Sequence, residues 1–294
     1  MAEAPKPKKK VVKVQSPKKA AEPGAEATGT AKGQAPAKPA QKEPAWTPSA
    51  ENKKKATTFR IIAWIAWIAA IALEIWAIVF LLKQDPIKVG LLIVALAVIG
   101  VLAIAGNLLW KQANRLDPAS ESNKTKFWIQ NQLGAIMTVI AFLPLVVLVF
   151  TDKNMSGKHK GIVGGIGVVA MVAIALLTGA DFDAPSQEQY AAEENIIVQL
   201  TGVDEVFWTK SGSVFHVCAA VPDVNKESAD GNIYQGTVAQ AHEAGKDRIT
   251  KRWPSEAVNY CGISQEKVDE VQAGLAADGL PELTDELSDT EQSE

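Results

Sequence analysis

The chain has 294 residues, of which 47% are hydrophobic and 21% charged, with two cysteines and a formal net charge of −3. These averages look like one soluble domain, but they pool three unlike parts: residues 1–60 carry fourteen Lys/Arg against five Asp/Glu, 61–180 nine against five, and 181–294 seven against twenty-three. Balances of +9, +4 and −16 exclude a single uniform globule and call for a separate reading of each part.

Residues 1–57 are built from Lys, Ala, Pro, Glu, Gly and Gln, with Trp46 as the one aromatic before Phe59. Such a segment buries too little apolar surface to offset chain entropy and is expected to be a disordered basic tail. Its clusters Lys8–Lys10, Lys18, Lys19 and Lys53–Lys55 suit anionic lipid or simply orient the chain. Nucleic acid is not the expected partner. The first apolar run begins near Ile61, is too long for a signal-peptide core and has no small-residue cleavage site behind it, so it reads as a retained helix.

Four apolar runs follow, Ile61–Leu82, Val89–Leu109, Phe127–Phe150 and Gly161–Thr178. Each is close to the ~20 residues that cross a hydrocarbon core. Backbone groups in lipid must bond internally, so the runs predict a membrane all-α four-helix bundle over 58–180. Trp64, Trp67, Trp110 and Trp128 near the run ends read as interfacial anchors. Lys53–Lys55, Arg60, Lys111, Arg115, Lys124 and Lys126 flank one side, against Lys83, Lys88, Lys153, Lys158 and Lys160 on the other. The positive-inside rule then predicts a multi-pass inner-membrane protein with both termini cytoplasmic.

Glu74 falls near the middle of the first span, where an ionised side chain costs about 2.5–3.5 kcal/mol. It is expected to face the bundle as a neutral acid. Thr138 lies at matching depth, and Pro144, lacking an N–H, leaves the Ile140 carbonyl free to accept from Glu74. The alternative is an ion- or proton-handling carboxylate. Gly161 and Gly165 have small-xxx-small spacing, which marks either packing of span four inside the bundle or a dimer face. Asn107, Gln130, Asn131 and Gln132 read as polar residues of the interface.

After a linker over 181–189, residues 190–275 read as a small α+β soluble domain, and 276–294 as a disordered acidic tail. Val206–Trp208 and Val214–Val217 flank a Gly212 turn as a hairpin, and a strand and helix follow. Thr237 and Gln240 have capping-box spacing, and Gly245 stands where the helix stops. Ile249–Trp253 reads as a third strand and Ser264–Gln272 as a helix with Val268 and Val271 on one face.

The residues Val206-Phe207-Trp208-Thr209, Gly212, Val214-Phe215-His216, Gly236-Thr237, Ala241, Ala244-Gly245-Lys246 and Arg248 resemble a small bacterial module found on many membrane proteins. Its pattern is W-T-x-x-G-x-x-Y-H, then G-T-x-x-x-A-x-x-A-G-K, then a terminal C-x-x-C in metal-binding members. Here Thr250 and Trp253 stand in the terminal cysteine slots and Cys218 matches an earlier ligand slot loosely. The resemblance therefore implies the module without its metal or any other cofactor. The arrangement as a whole resembles membrane proteins of actinobacteria, especially corynebacteria, and implies no particular activity.

A pairing of Cys218 with Cys261 would need an oxidising compartment, so the cytoplasmic placement predicts reduced, mainly buried thiols. His216, Cys218, His242 and Cys261 match no standard zinc spacing. No nucleotide loop, zincin helix or nucleophile elbow is present. The expectation is a non-enzymatic membrane protein that recruits or organises partners, as a homo-oligomer or with another protein. A small oligomeric transporter using Glu74 is the alternative.

Overall fold

A computed structural model describes residues 9–14, 46–226 and 230–277. It divides into two compact units, Thr47–Gln187 and the combination of Met1–Trp46 with Glu188–Glu294.

The first unit contains four helices long and apolar enough to cross a membrane. α1 (Ala50–Trp76) continues as a π-helical turn over Ala77–Leu81, and α2 (Val89–Leu116) and α3 (Lys124–Thr151) follow. α4 (Gly157–Ile174) ends in a second π turn, Ala175–Gly179. Three of the four outrun their apolar stretches at the N-terminus because each has a side-chain cap there. Ser49 accepts from the Asn52 N–H, Asn123 from Lys126 and Ser156 from His159. The tail predicted to be disordered through residue 57 is thereby corrected at its end: Ala50–Lys55 are good helix formers, and Glu51 pairs with Lys55 at 2.8 Å.

Along α1 the buried alanines Ala56, Ala63, Ala70 and Ala77 recur every seventh residue. Facing them on α2 are Leu92, Ile99, Gly106 and Ala113. Arg60 bonds Asp117 and Trp67 bonds Asn107, so the two helices run antiparallel along a heptad seam in which small residues of α1 face both small and large residues of α2. Large apolar side chains lie on both sides: Trp67, Leu92, Ile99, Phe142 and Leu145 are buried, while Ile65, Val101 and Leu177 are 61%, 66% and 78% exposed. Large apolar side chains left exposed on such helices are the pattern expected of a bundle whose solvent is lipid.

The second unit is α+β. α5 (Gln187–Thr201) leads into β2 (Val206–Trp208), β3 (Val214–Phe215), α6 (Pro222–Lys226) and β4 (Asn232–Gly236). α7 (Val238–Glu243), β5 (Arg248–Ile249), α8 (Trp253–Asn259) and α9 (Gln265–Ala277) complete it. The linker predicted over 181–189 is cut short, because α5 starts inside it and packs Ile196, Ile197 and Leu200 into the core beside Trp208, Phe215 and Trp253. β2 pairs antiparallel with β4, not with β3, which touches it only through the reciprocal Phe207–His216 bonds. The strand predicted over Ile249–Trp253 is corrected to two residues. Pro254 at the start of α8 turns the chain into a helix instead.

A further correction concerns the N-terminus. Lys10–Lys13 form a strand, β1, parallel to β4 with Val11 beside Ile233, so the sheet order is β1-β4-β2. Averaging the lysine-rich composition hid the short Val11-Val12 core of this strand, which fills the edge β4 would otherwise leave open. The remainder of the basic tail and the acidic tail beyond Ala277 lie outside the described residues.

Candidate functional site

Glu74 and Asn107 centre two separate polar groups inside the bundle. Glu74, 2% exposed, accepts the Leu145 N–H through Oε1 at 3.0 Å. The predicted bond to the Ile140 carbonyl is thus replaced by one from the opposite side of the same defect. Pro144 stands inside α3 without an N–H, and the N–H of the following Leu145, rather than the Ile140 carbonyl, engages the carboxyl group. Leu145 belongs to the apolar cluster that includes Ala70, Ala77 and Ala141, which encloses Glu74 on its own helix and on α3.

Thr138 belongs to the second group, centred on Asn107. Asn107 Oδ1 accepts from Trp67 Nε1 at 3.1 Å, and its Nδ2 donates to Thr138 Oγ1 at 3.0 Å and Thr178 Oγ1 at 3.1 Å. The threonine hydroxyls donate to the Gly134 and Ile174 carbonyls of their own helices. One fully buried amide therefore joins all four spans. The interfacial role predicted for Asn107, and the anchor role for Trp67, are both corrected: each is 0% exposed.

Gly161 and Gly165 do not pack inside the bundle, since a Cβ added to either meets nothing within 4 Å. The close approaches are made elsewhere. A Cβ on Gly134 would lie 2.7 Å from the Gly179 carbonyl oxygen, and one on Gly179 would lie 2.6 Å from the Ala135 nitrogen. α3 and the end of span four thus touch backbone to backbone. Sequence reasoning missed this pair because the two glycines share no local spacing.

In the second unit two histidines each meet a carboxylate. His242 and Glu193, both 0% exposed, are 2.6 Å apart, and His242 Nδ1 faces the Lys246 carbonyl at 2.8 Å. Glu193 also receives the Ile249 N–H and the Gln189 amide, and Tyr190 stacks on the imidazole at 4.1 Å. This is a closed structural knot linking α5, α7 and β5. His216 Nδ1 lies 3.1 and 3.0 Å from the two oxygens of Glu256, tying the end of β3 to α8. Asp204 caps α7 by accepting the Val238 N–H at 2.9 Å, and burial raises its carboxyl above the ordinary range. Glu194 is raised too, by burial first and then by the charge of Asp204.

Cys218 and Cys261 are joined as a disulfide, with Cα atoms 5.8 Å apart, which corrects the expectation of reduced and buried thiols; both residues are half-buried. The pair follows from the His216–Glu256 tie: one cysteine lies just beyond His216 and the other just beyond α8, so one contact brings both into reach. The metal site of the resembling module does not fit. Cys218 offers no thiolate, Trp253 is core, and Glu256 occupies His216 Nδ1. Neither imidazole is hydrogen-bonded to a hydroxyl or thiol among the described residues. The ties made here hold elements of the second unit together.

Comparison with known proteins finds no family model, no curated protein and no solved structure that matches this chain.

Proposed function

We propose that the protein is a non-enzymatic membrane scaffold, in which the four-span bundle anchors a soluble α+β module that organises partners. Glu74 carries this reading. A transport carboxylate must meet water or ions during its cycle, whereas this one is enclosed by apolar side chains and engaged with the backbone defect at Pro144. Asn107 likewise serves helix assembly, and the two histidines serve the module's own packing.

The pairing of β1 with β4 supports a common side for the N-terminal strand and the module, in keeping with an even number of crossings. Eight cations flank the spans on that side against five on the other, which favours the cytoplasm of a cell with a single inner membrane. A cystine is ordinarily extracytoplasmic; on the cytoplasmic side, Cys218–Cys261 is a closure that forms on oxidation and opens on reduction. The resemblance to modules carried by bacterial membrane proteins fits the same role.

The test is paired. Vesicles containing the full-length protein should show no ion flux above empty vesicles, with or without Glu74→Gln, and flux abolished by the substitution would establish transport instead. In cells, crosslinked partners should be lost on deleting residues 188–294 and retained in Glu74→Gln. An impermeant maleimide applied after mild reduction should label Cys218 and Cys261 only in permeabilised cells.

A further inference from the structure

The start of α3, with neighbouring parts of α1 and α2, borders an open groove of about 710 Å3. Its lining changes character with depth. Thr125, Ile129 and Leu133 stand four residues apart on α3, forming one stripe about 12 Å long at 1.5 Å per residue. Thr125 and Lys126 occupy the polar end, whereas Ile129 and Leu133 lie one and two turns into the apolar span. The apolar run of α3 begins at Phe127, so the groove straddles the boundary between headgroups and hydrocarbon.

Arg60 and Trp110 form the facing wall. The guanidinium is held by Asp117, at 2.6 Å from the carboxylate and 2.9 Å from the carbonyl, and stands 5.8 Å from the Trp110 ring centre. Trp110 is itself fixed by donating Nε1–H to the Gln130 carbonyl at 2.7 Å. Both groups are therefore preorganised before any ligand arrives. Lys126 makes no ion pair among the described residues, so Asp117 offsets only one of the groove's two cations.

We infer that this groove binds the phosphate headgroup of an acidic phospholipid. Lys126 and the outward N–H groups of Arg60 hold the phosphate, the Thr125 hydroxyl adds a donor, and an acyl chain lies along Ile129 and Leu133. A net positive mouth selects against zwitterionic lipid. Two apolar turns beneath it select against a free phosphate ion, which has nothing to place there. The inference does not depend on the scaffold reading, since it concerns only the bundle and its bilayer.

Native mass spectrometry of the full-length protein, released from mixed phosphatidylglycerol–phosphatidylcholine nanodiscs, provides the test. Phosphatidylglycerol should be retained in preference to phosphatidylcholine. Lys126→Gln, a surface change that leaves the fold intact, should lower that retention about fivefold, the effect of one interfacial cation. Leu133→Trp, which fills the deep end and keeps both cations, should lower it as well, while Lys124→Gln outside the groove should not. Equal retention of the two lipids, wild-type retention in both groove variants, or displacement of the lipid by inorganic phosphate alone would overturn the assignment.

Discussion

Replacing Asn107 by Leu removes the side chain that joins all four spans while keeping its branched four-heavy-atom shape. Three hydrogen bonds disappear, to Trp67, Thr138 and Thr178. At about 0.6 kcal/mol for an average interhelical bond in a bilayer, they amount to about 2 kcal/mol. The threonines keep their own-helix carbonyl partners, but the Trp67 indole N–H is left buried without an acceptor, which adds about 1–3 kcal/mol. The loss should total about 3–5 kcal/mol, measured as unfolding of the full-length protein in mixed micelles with increasing dodecyl sulfate. A cycle with Trp67→Phe isolates the indole bond: Phe has no N–H to strand, so the double variant should be less destabilised than the sum of the singles by about 1 kcal/mol. A loss below about 0.5 kcal/mol for Asn107→Leu, or strict additivity in the cycle, would show that the bundle does not rely on this amide.

Gly134→Leu should destabilise the bundle in the same assay by several kcal/mol, because its side chain meets the Gly179 backbone, whereas Gly161→Leu should leave stability unchanged and alter, if anything, the crosslinked oligomer pattern. Glu74→Gln keeps an acceptor for the Leu145 N–H and should cost less than about 1 kcal/mol, while Glu74→Leu orphans that N–H and should cost about 1–3 kcal/mol. Cys261→Ser opens a loop of 43 residues and should destabilise the module by about 4 kcal/mol on the chain-entropy estimate, seen as earlier chemical unfolding of the oxidised protein relative to wild type. Burial raises Asp204, so the folded chain binds that proton more tightly than the unfolded chain; its contribution therefore grows as pH falls from above the raised folded value to below the ordinary one. Asp204→Asn should flatten this slope in a pH series of module unfolding.

The spans were legible because lipid imposes long apolar runs, and nothing in the tertiary structure can override that requirement. Their ends were less so, since Ser49 extends α1 through a lysine-rich stretch that composition assigned to the tail. Asn107 and Trp67 looked interfacial because the sequence gives depth along a helix but not the direction a side chain faces. The contact of Gly134 with Gly179 and the pairing of β1 with β4 join positions far apart in the chain, which no local pattern encodes. The cystine is hidden for another reason: compartment argues against it, and the His216–Glu256 contact that brings the two sulfurs together joins residues forty positions apart.

An edge strand of the three-stranded sheet, β1, is made well before its partner β4. Between Lys10 and Asn232 lie four helices long and apolar enough to cross a membrane, so at about 5–20 residues per second β1 waits roughly 10–45 s before β4 exists. The module is completed only when β4 captures this much earlier strand. A fragment expressed without its first fourteen residues would present a bare sheet edge to every other copy of itself, and self-association of such a fragment would reflect the missing strand rather than a native interface.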